Sequence, residues 1–271
     1  MIALDRRTTI APRLVAAGLF LFAAGCHRGG PAPTPAPARR PAAPPRAGIS
    51  SGASLIRAMH TRYADDWFHT VTFTQRTTVT LPSGTESVQT WYEAARPPGE
   101  LRIDIGNPAQ GNGILFARDS VFTFSNGKLV RADTGINEPL VLAFDAYDQS
   151  SAHTEAELRR LGFDLGRFHE TTWEGRPVYV IGATAGDTTS KQFWVDRDRL
   201  MFVRLLEHTR QGLSDTRFDR FVPAGGGWVA ERVEQLVNGR RRVLEEYSNV
   251  RANVELSPTL FDPSHWAAAP H

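Results

Sequence analysis

Cysteine is almost absent from this 271-residue chain, which has one, Cys26. An intrachain disulfide is therefore excluded, as are thiolate clusters of the zinc and iron–sulfur kinds. Lysine is nearly as scarce: only Lys128 and Lys191 occur, so the positive charge is carried by arginine. Neither sign of charge dominates, since 31 Lys and Arg face 29 Asp and Glu. Without a basic field, nucleic acid is not an expected partner. Missing too is any apolar run of the roughly 20 residues that a spanning helix needs. What remains has the composition of an ordinary globular protein, long enough for one large β domain or two small ones with a packed core.

The N-terminus departs from that composition. Arg6, Arg7 and Arg13 precede the apolar run "LVAAGLFLFAA" (Leu14 to Ala24), and small residues then lead into Cys26. Basic start, short apolar run and small-residue end describe a signal peptide over residues 1–25. "AAGC" resembles the lipobox of bacterial lipoproteins, which implies that Cys26 becomes an acylated first residue. Residues 26–48 then form a tether rich in Pro, Ala and Arg that cannot build a core. Several acyl chains, at about 0.8 kcal/mol per methylene, would hold such a protein firmly to a membrane. His27 follows the cysteine where an Asp is absent, so the expected location is the periplasm, lipid-anchored to the outer membrane. Removal of the signal takes three Arg and one Asp with it and leaves 28 basic and 28 acidic residues.

Residues 49–266 read as the folded domain, with 267–271 as a tail. Leu55, Ile56, Met59, Tyr63 and Trp67 recur at helical spacing and predict one amphipathic helix between Ile49 and Trp67. Afterwards the period changes to two. Val71, Phe73 and Val79 alternate with polar residues, "PSG" at 82–84 marks a turn, and a partner strand follows from Thr85 to Ala95. Further short segments, from "ELRIDI" to "RRVLEEYSNV", bring the expectation to ten or eleven antiparallel strands in meander order, with no room for βαβ crossovers. "NEPLVLAFDAYDQSSAHTEAELRRLGFDL", 137–165, interrupts them and predicts one or two short helices, with Thr154 and Glu157 in a capping-box pattern. The fold class is mainly β with a few helices.

No constellation of catalytic residues emerges. His153 and Glu157 stand four apart without the second histidine of a zincin. His69, His208, His265 and His271 lack clustered carboxylate or thiolate partners. Asp196 and Asp198 in "WVDRDRL" fit a turn better than a catalytic pair, and "AGGGW" (224–228) lacks the lysine of a phosphate loop. No serine reads as a nucleophile. A non-enzymatic role without cofactor or metal is the expectation. An open sheet must nevertheless bury its apolar face, and that face either packs dry or accepts an apolar ligand.

"FHTVTFTQ" (68–75), "WYEAARPPGELRIDI" (91–105), "ILFARDSVFTFSNGK" (114–128), "KQFWVDRD" (191–198) and "LSPTLFDP" (256–263) occur in an order similar to that of the LolA/LolB lipoprotein carrier and receptor superfamily. The resemblance implies a strongly curved antiparallel sheet, an incomplete barrel covered by an N-terminal helix and short lid helices. It implies that the cavity takes acyl chains of lipoproteins or lipids, lined here by Val71, Phe73, Leu101, Ile103, Ile105, Leu140 and Phe144. In the family an arginine of an "RP" pair after the second strand controls the lid, and Arg96 followed by Pro97 stands there. Implied partners are the membrane, through the anchor, and a soluble periplasmic carrier, with the protein itself a monomer. The receptor branch carries a bulky apolar residue in the loop that matches "GNPAQGNG" (106–113), where this chain has none. The alternative role is an envelope sensor or scaffold that binds another protein without using the cavity for transport.

Overall fold

In the computed structural model, which describes residues 48–267, the period-two stretch becomes β1 (Val71–Thr80), paired antiparallel with β2 (Glu86–Arg96). β3 (Glu100–Ile105), β4 (Gly113–Ala117), β5 (Ser120–Ser125) and β6 (Lys128–Thr134) continue this meander to one edge. A second meander runs through β7 (Phe168–Trp173), β8 (Arg176–Ile181), β9 (Gln192–Asp196), β10 (Phe202–Thr209), β11 (Gly212–Ala224) and β12 (Gly227–Val237). Its last strand, β13 (Arg240–Ala252), returns to pair with β1. One sheet results, ordered β6-β5-β4-β3-β2-β1-β13-β12-β11-β10-β9-β8-β7. It does not close, because β6 and β7 are both edges. The signal peptide, Cys26 and nearly all of the tether lie outside the described residues, as does the tail beyond Ala267.

Thirteen strands exceed the ten or eleven expected, for two local reasons. "VFTFSNGKLV" is not one strand: Asn126 (φ 51°) and Gly127 (φ 73°) fold it into the β5–β6 hairpin. Positive φ at both central residues gives a two-residue turn whose twist matches that of its strands. "FHETTW" has no apolar alternation of its own and becomes β7, which needs little because it is an edge with only partly buried side chains.

Helix α1 (Gly52–Tyr63) starts at Ser51, whose hydroxyl accepts from the Ser54 N–H while Ser54 reciprocates. Leu55, Ile56, Met59 and Tyr63 are its buried face. The helix ends before Trp67, yet Trp67 is 2 % exposed: it stacks on Tyr147 at 4.4 Å and on Phe68 at 4.6 Å. Such pairs are worth about 0.5–1.5 kcal/mol each beyond their buried area. The Gly-rich turn exists for this ring. A Cβ on Gly227 would stand 2.3 Å from the Trp67 ring, and one on Gly226 (φ +80°) only 1.9 Å from the Asp66 carbonyl oxygen.

Between the two edges the chain crosses through α2 (Glu138–Leu140), a π-helical turn (Val141–Asp145), α3 (Ala146–Asp148) and α4 (Ser151–Arg160). The capping expectation is corrected here. Ser150, not Thr154, caps α4 by accepting from the His153 N–H. Thr154 and Glu157 are instead buried inside the helix, where the Gln149 amide donates to both. Together α1 and this insertion bury one face of the sheet in a continuous apolar core. None of the described helices is long and apolar enough to cross a membrane.

The C-terminal segment after β13 covers the opposite face. Leu260, Phe261 and Trp266 pack on Ala94, Leu115, Ala117 and Phe124, and the Trp266 and Phe124 rings stack at 4.2 Å. Ala94 and Leu115 alternate with the core-facing Ala95 and Ile114, so this strap rides on the outside of the curve.

Candidate functional site

Strand register decides which side chains meet on the inner face. Val71 pairs with Ala95, Phe73 with Glu93 and Gln75 with Trp91. One strand further, Leu101 stands opposite Ala95, Ile103 opposite Glu93 and Ile105 opposite Trp91. With a period of two, these residues share one surface. Leu140 and Phe144 reach the same apolar cluster from the helical insertion. All seven residues expected to line a cavity are thus brought together, five of them with 0–7 % of their surface exposed and Ile105 and Phe144 half-buried. Phe144 contacts Phe68 edge to face at 5.5 Å. The insertion acts as a lid seated on the sheet, its aromatic side chains occupying the concavity.

Several contacts hold the lid down, Arg160 on Asp119 of the β4–β5 turn at 3.1 Å among them. Tyr147 Oη accepts from the Phe202 backbone N–H at 2.8 Å. Lys191 Nζ, from the β8–β9 side, pairs with Glu138 and donates to the Leu161 carbonyl. Asp145 faces the β2–β3 turn, where the Gly99 backbone N–H favours its charged form. Asp145 is 2 % exposed and its Oδ1 has no hydrogen-bond partner. Burial, reinforced by the neighbouring Glu157 and Asp148, pushes its pKa up to about 7 against the opposing Gly99 N–H. It sits in the π-helical turn, a backbone irregularity frequent at functional sites.

Arg96 occupies the last position of β2, next to that same turn. Its guanidinium donates to Glu100 and lies 4.7 Å over the Phe261 ring. The contact with the lid is made by Gly99, three residues on. Asp145 was not singled out in the sequence; a lone carboxylate within "LVLAFDAY" was the available signal.

Away from the floor of the concavity the inner face turns polar. Gln75 and Thr77 are each 1 % exposed and bonded to one another at 2.7 Å, and Glu93 is 6 % exposed. Tyr247 Oη donates to Glu245 at 2.8 Å. An open cleft of about 580 Å³ separates the strap from β1, β2 and β13, lined by Thr72, Tyr92, Arg251 and Glu255 and bordered also by Phe73 and Glu93.

The remaining candidates resolve into structural roles. Among the described residues no group of three or more His, Cys, Asp and Glu is arranged to hold a metal. Asp196 Oδ1 accepts from the N–H groups of Asp198 and Arg199, the arrangement of a turn. Two short patterns with hydrolase meaning elsewhere also occur. Gly48 to Gly52 matches G-x-S-x-G, but Ser50 is exposed beside the α1 cap; Ser125 to Lys128 matches S-x-x-K, but forms the β5–β6 hairpin turn. Neither has the strand-to-helix elbow or the base such chemistry requires.

No protein-family profile matches the chain, and no curated protein sequence does. Solved structures do. A DUF1329 family protein from Desulfovibrio piger superposes with a TM-score of 0.54 at 17 % identity, over 79 % of this chain and 97 % of that one. A LolA superfamily protein from Nitrosomonas europaea gives 0.51 at 14 % identity, over 76 % and 96 %. A domain described as an outer membrane lipoprotein-sorting protein, from Vibrio parahaemolyticus, gives 0.55 at 12 % identity, over 80 % and 98 %. The resemblance read in the motif order is therefore matched by the fold of LolA superfamily and lipoprotein-sorting structures, an unclosed antiparallel sheet with helices on one face.

Proposed function

We propose that this chain is a binding protein of the bacterial envelope, and not an enzyme, whose concave sheet face takes the acyl chains of a lipid or lipoprotein when the lid is displaced. The observation that carries the reading is the convergence of Val71, Phe73, Leu101, Ile103, Ile105, Leu140 and Phe144 on one apolar surface shared by sheet and lid. The lipoprotein-sorting role ascribed to the Vibrio parahaemolyticus neighbour supports the same direction. Signal peptide, acylated Cys26 and tether complete the proposal: the domain hangs from the outer membrane into the periplasm and accepts cargo from a soluble carrier.

The energetics favour reversible loading. An acyl chain leaving water gains about 25 cal/mol per Å² of apolar surface. Here it also replaces lid side chains that already cover that surface, so only the difference between the two appears as affinity. Arg96 enters as the residue that steadies the β2–β3 turn through Glu100 and Phe261, so that Gly99 can hold Asp145.

The test uses the full chain carrying Cys26→Ser, which removes the anchor, and a fluorescent fatty-acyl probe. Saturable binding is expected, and in Arg96→Leu the probe should exchange several-fold faster as the turn loosens. Absence of binding would overturn the acyl reading, whereas binding with unaltered exchange would remove Arg96 from lid control. A second reading, the sensor or scaffold, is favoured by the fully seated lid; for it the probe should not bind and a protein partner should.

A further inference from the structure

Beyond the acyl floor the inner face carries two acids that have no structural counter-charge. Glu93 is placed by register between Phe73 on β1 and Ile103 on β3, both apolar and buried. A carboxylate at such a position costs several kcal/mol unless it is paired. Glu93 is nonetheless 6 % exposed and makes no hydrogen bond or ion pair among the described residues. Glu245, half-buried on β13, accepts from Tyr247 Oη, and it too has no basic partner among the described residues.

The nearby donors are directed at other acceptors. Gln75 Nε2 donates to Thr77, Tyr247 Oη to Glu245, and Trp91 Nε1 to Gln89. What the protein leaves unsatisfied is acceptor capacity, lying against aromatic faces: Phe73 and Tyr247 have ring centroids 4.9 Å apart, and Trp91 follows Glu93 two residues along the same face of β2. Carboxylate oxygens beside aromatic rings are the surroundings that suit an ammonium, which offers hydrogen-bond donors and a positive charge to both. The position is also suitable. Burial along β2 falls from Glu93 to half-buried Trp91 and then to exposed Thr90 and Gln89, so the acids stand where the interior begins to open.

We propose that Glu93 and Glu245 form a headgroup site for a cationic amine, so that the ligand of this protein is an amphiphile with its acyl chain on the floor beneath the lid and an ammonium between the two carboxylates. The site rests on the acyl-binding reading and names the chemistry at the other end of the same ligand. Burial raises the pKa of Glu93, with Glu245 adding to it, and burial likewise raises that of Glu245. An ammonium between them would offset that desolvation, which an alcohol or a fatty-acid carboxylate cannot do.

The experiment measures displacement of the fluorescent acyl probe from the full-length Cys26→Ser protein by dodecylamine, dodecanol and dodecanoic acid. Hydrogen bonds to charged groups contribute about 1.5–3 kcal/mol, so the amine is expected to compete at least ~10-fold better than the alcohol of equal chain length. In Glu93→Gln, an isosteric change that keeps the fold, this preference should shrink to roughly threefold or less while dodecanol competes as before. Glu245→Gln should act in the same direction. Equal competition by amine and alcohol in the unsubstituted site, or an amine preference that survives Glu93→Gln, overturns the headgroup proposal and leaves acyl binding standing. Failure of all three chains to compete overturns both.

Discussion

Replacing Asp104 by Asn is expected to lower the stability of the domain by about 3–5 kcal/mol, the cost of leaving one buried charge without its partner. Arg102 and Asp104 are 2 % and 0 % exposed and joined by two bonds, Nε to Oδ2 at 2.8 Å and Nη2 to Oδ1 at 3.1 Å. The pair is buried because the C-terminal strap lies over it. Arg102 also donates to the carbonyls of Leu260 and Trp266, and its guanidinium lies 4.0 Å from the Trp266 ring. The arginine therefore ties the strap to the sheet while Asp104 neutralises the tie. Urea unfolding should show a lower midpoint in Asp104→Asn, together with faster proteolysis within 254–267. In Arg102→Met/Asp104→Leu, which removes both charges and keeps apolar volume, much of the lost stability should return. A loss below about 1 kcal/mol in the single variant would mean that the pair is effectively solvated and the strap loosely held.

The second large effect concerns the lid. Asp145 has its folded pKa raised to about 7 from the ordinary value near ~3.9. A carboxyl shifted in this direction stabilises the fold only while protonated. The contribution is whole below about pH 4, is lost progressively as pH climbs, and is gone above about pH 7. Roughly three units at 1.36 kcal/mol each set an upper bound near 4 kcal/mol, reached only if the lid stays shut; local opening lets the charge escape to water at lower cost. The groups facing it do not supply a counter-charge. Asp148 and Glu157 are acidic, and Glu157 is shared with Gln149, with His153 at 3.5 Å and with Arg160 at 3.8 Å. From the β2–β3 turn, Arg96 is engaged by Glu100. Asp145→Asn should therefore match the parent below about pH 4, begin to exceed it by pH 5 and exceed it in full at pH 8, where probe exchange in the parent should also be faster than in the variant. Glu93 and Glu245 are shifted in the same direction, so the difference between parent and variant is the quantity to compare. Identical pH profiles for the two proteins would exclude Asp145 as the latch.

The strands were legible wherever one face is apolar and the other wet. Val71 and Phe73 alternate with threonines, Leu101, Ile103 and Ile105 alternate with charges, and the register follows from these. β7 was not legible because an edge strand buries little and so carries no apolar period. Arg102 and Asp104 read as the solvent side of β3; only the strap, arriving from more than 150 residues away in sequence, converts that side into interior. Glu93 was visible in principle, a charge at an inward position between Trp91 and Ala95. Asp145 was not, since what faces it is the backbone of Gly99 in a distant turn. The floor of the candidate site was thus read from its period, while the latch and the acid pair depend on contacts between segments far apart in the chain.

The most direct measurement is photo-crosslinking of the anchor-free protein with a diazirine-bearing fatty acid, followed by mass-spectrometric location of the adducts. The account predicts labelling within 101–105 and at Phe144, suppressed by excess unlabelled acyl chain. Labelling confined to the cleft under the strap, around Thr72, Tyr92 and Arg251, or no competed labelling at all, would contradict it.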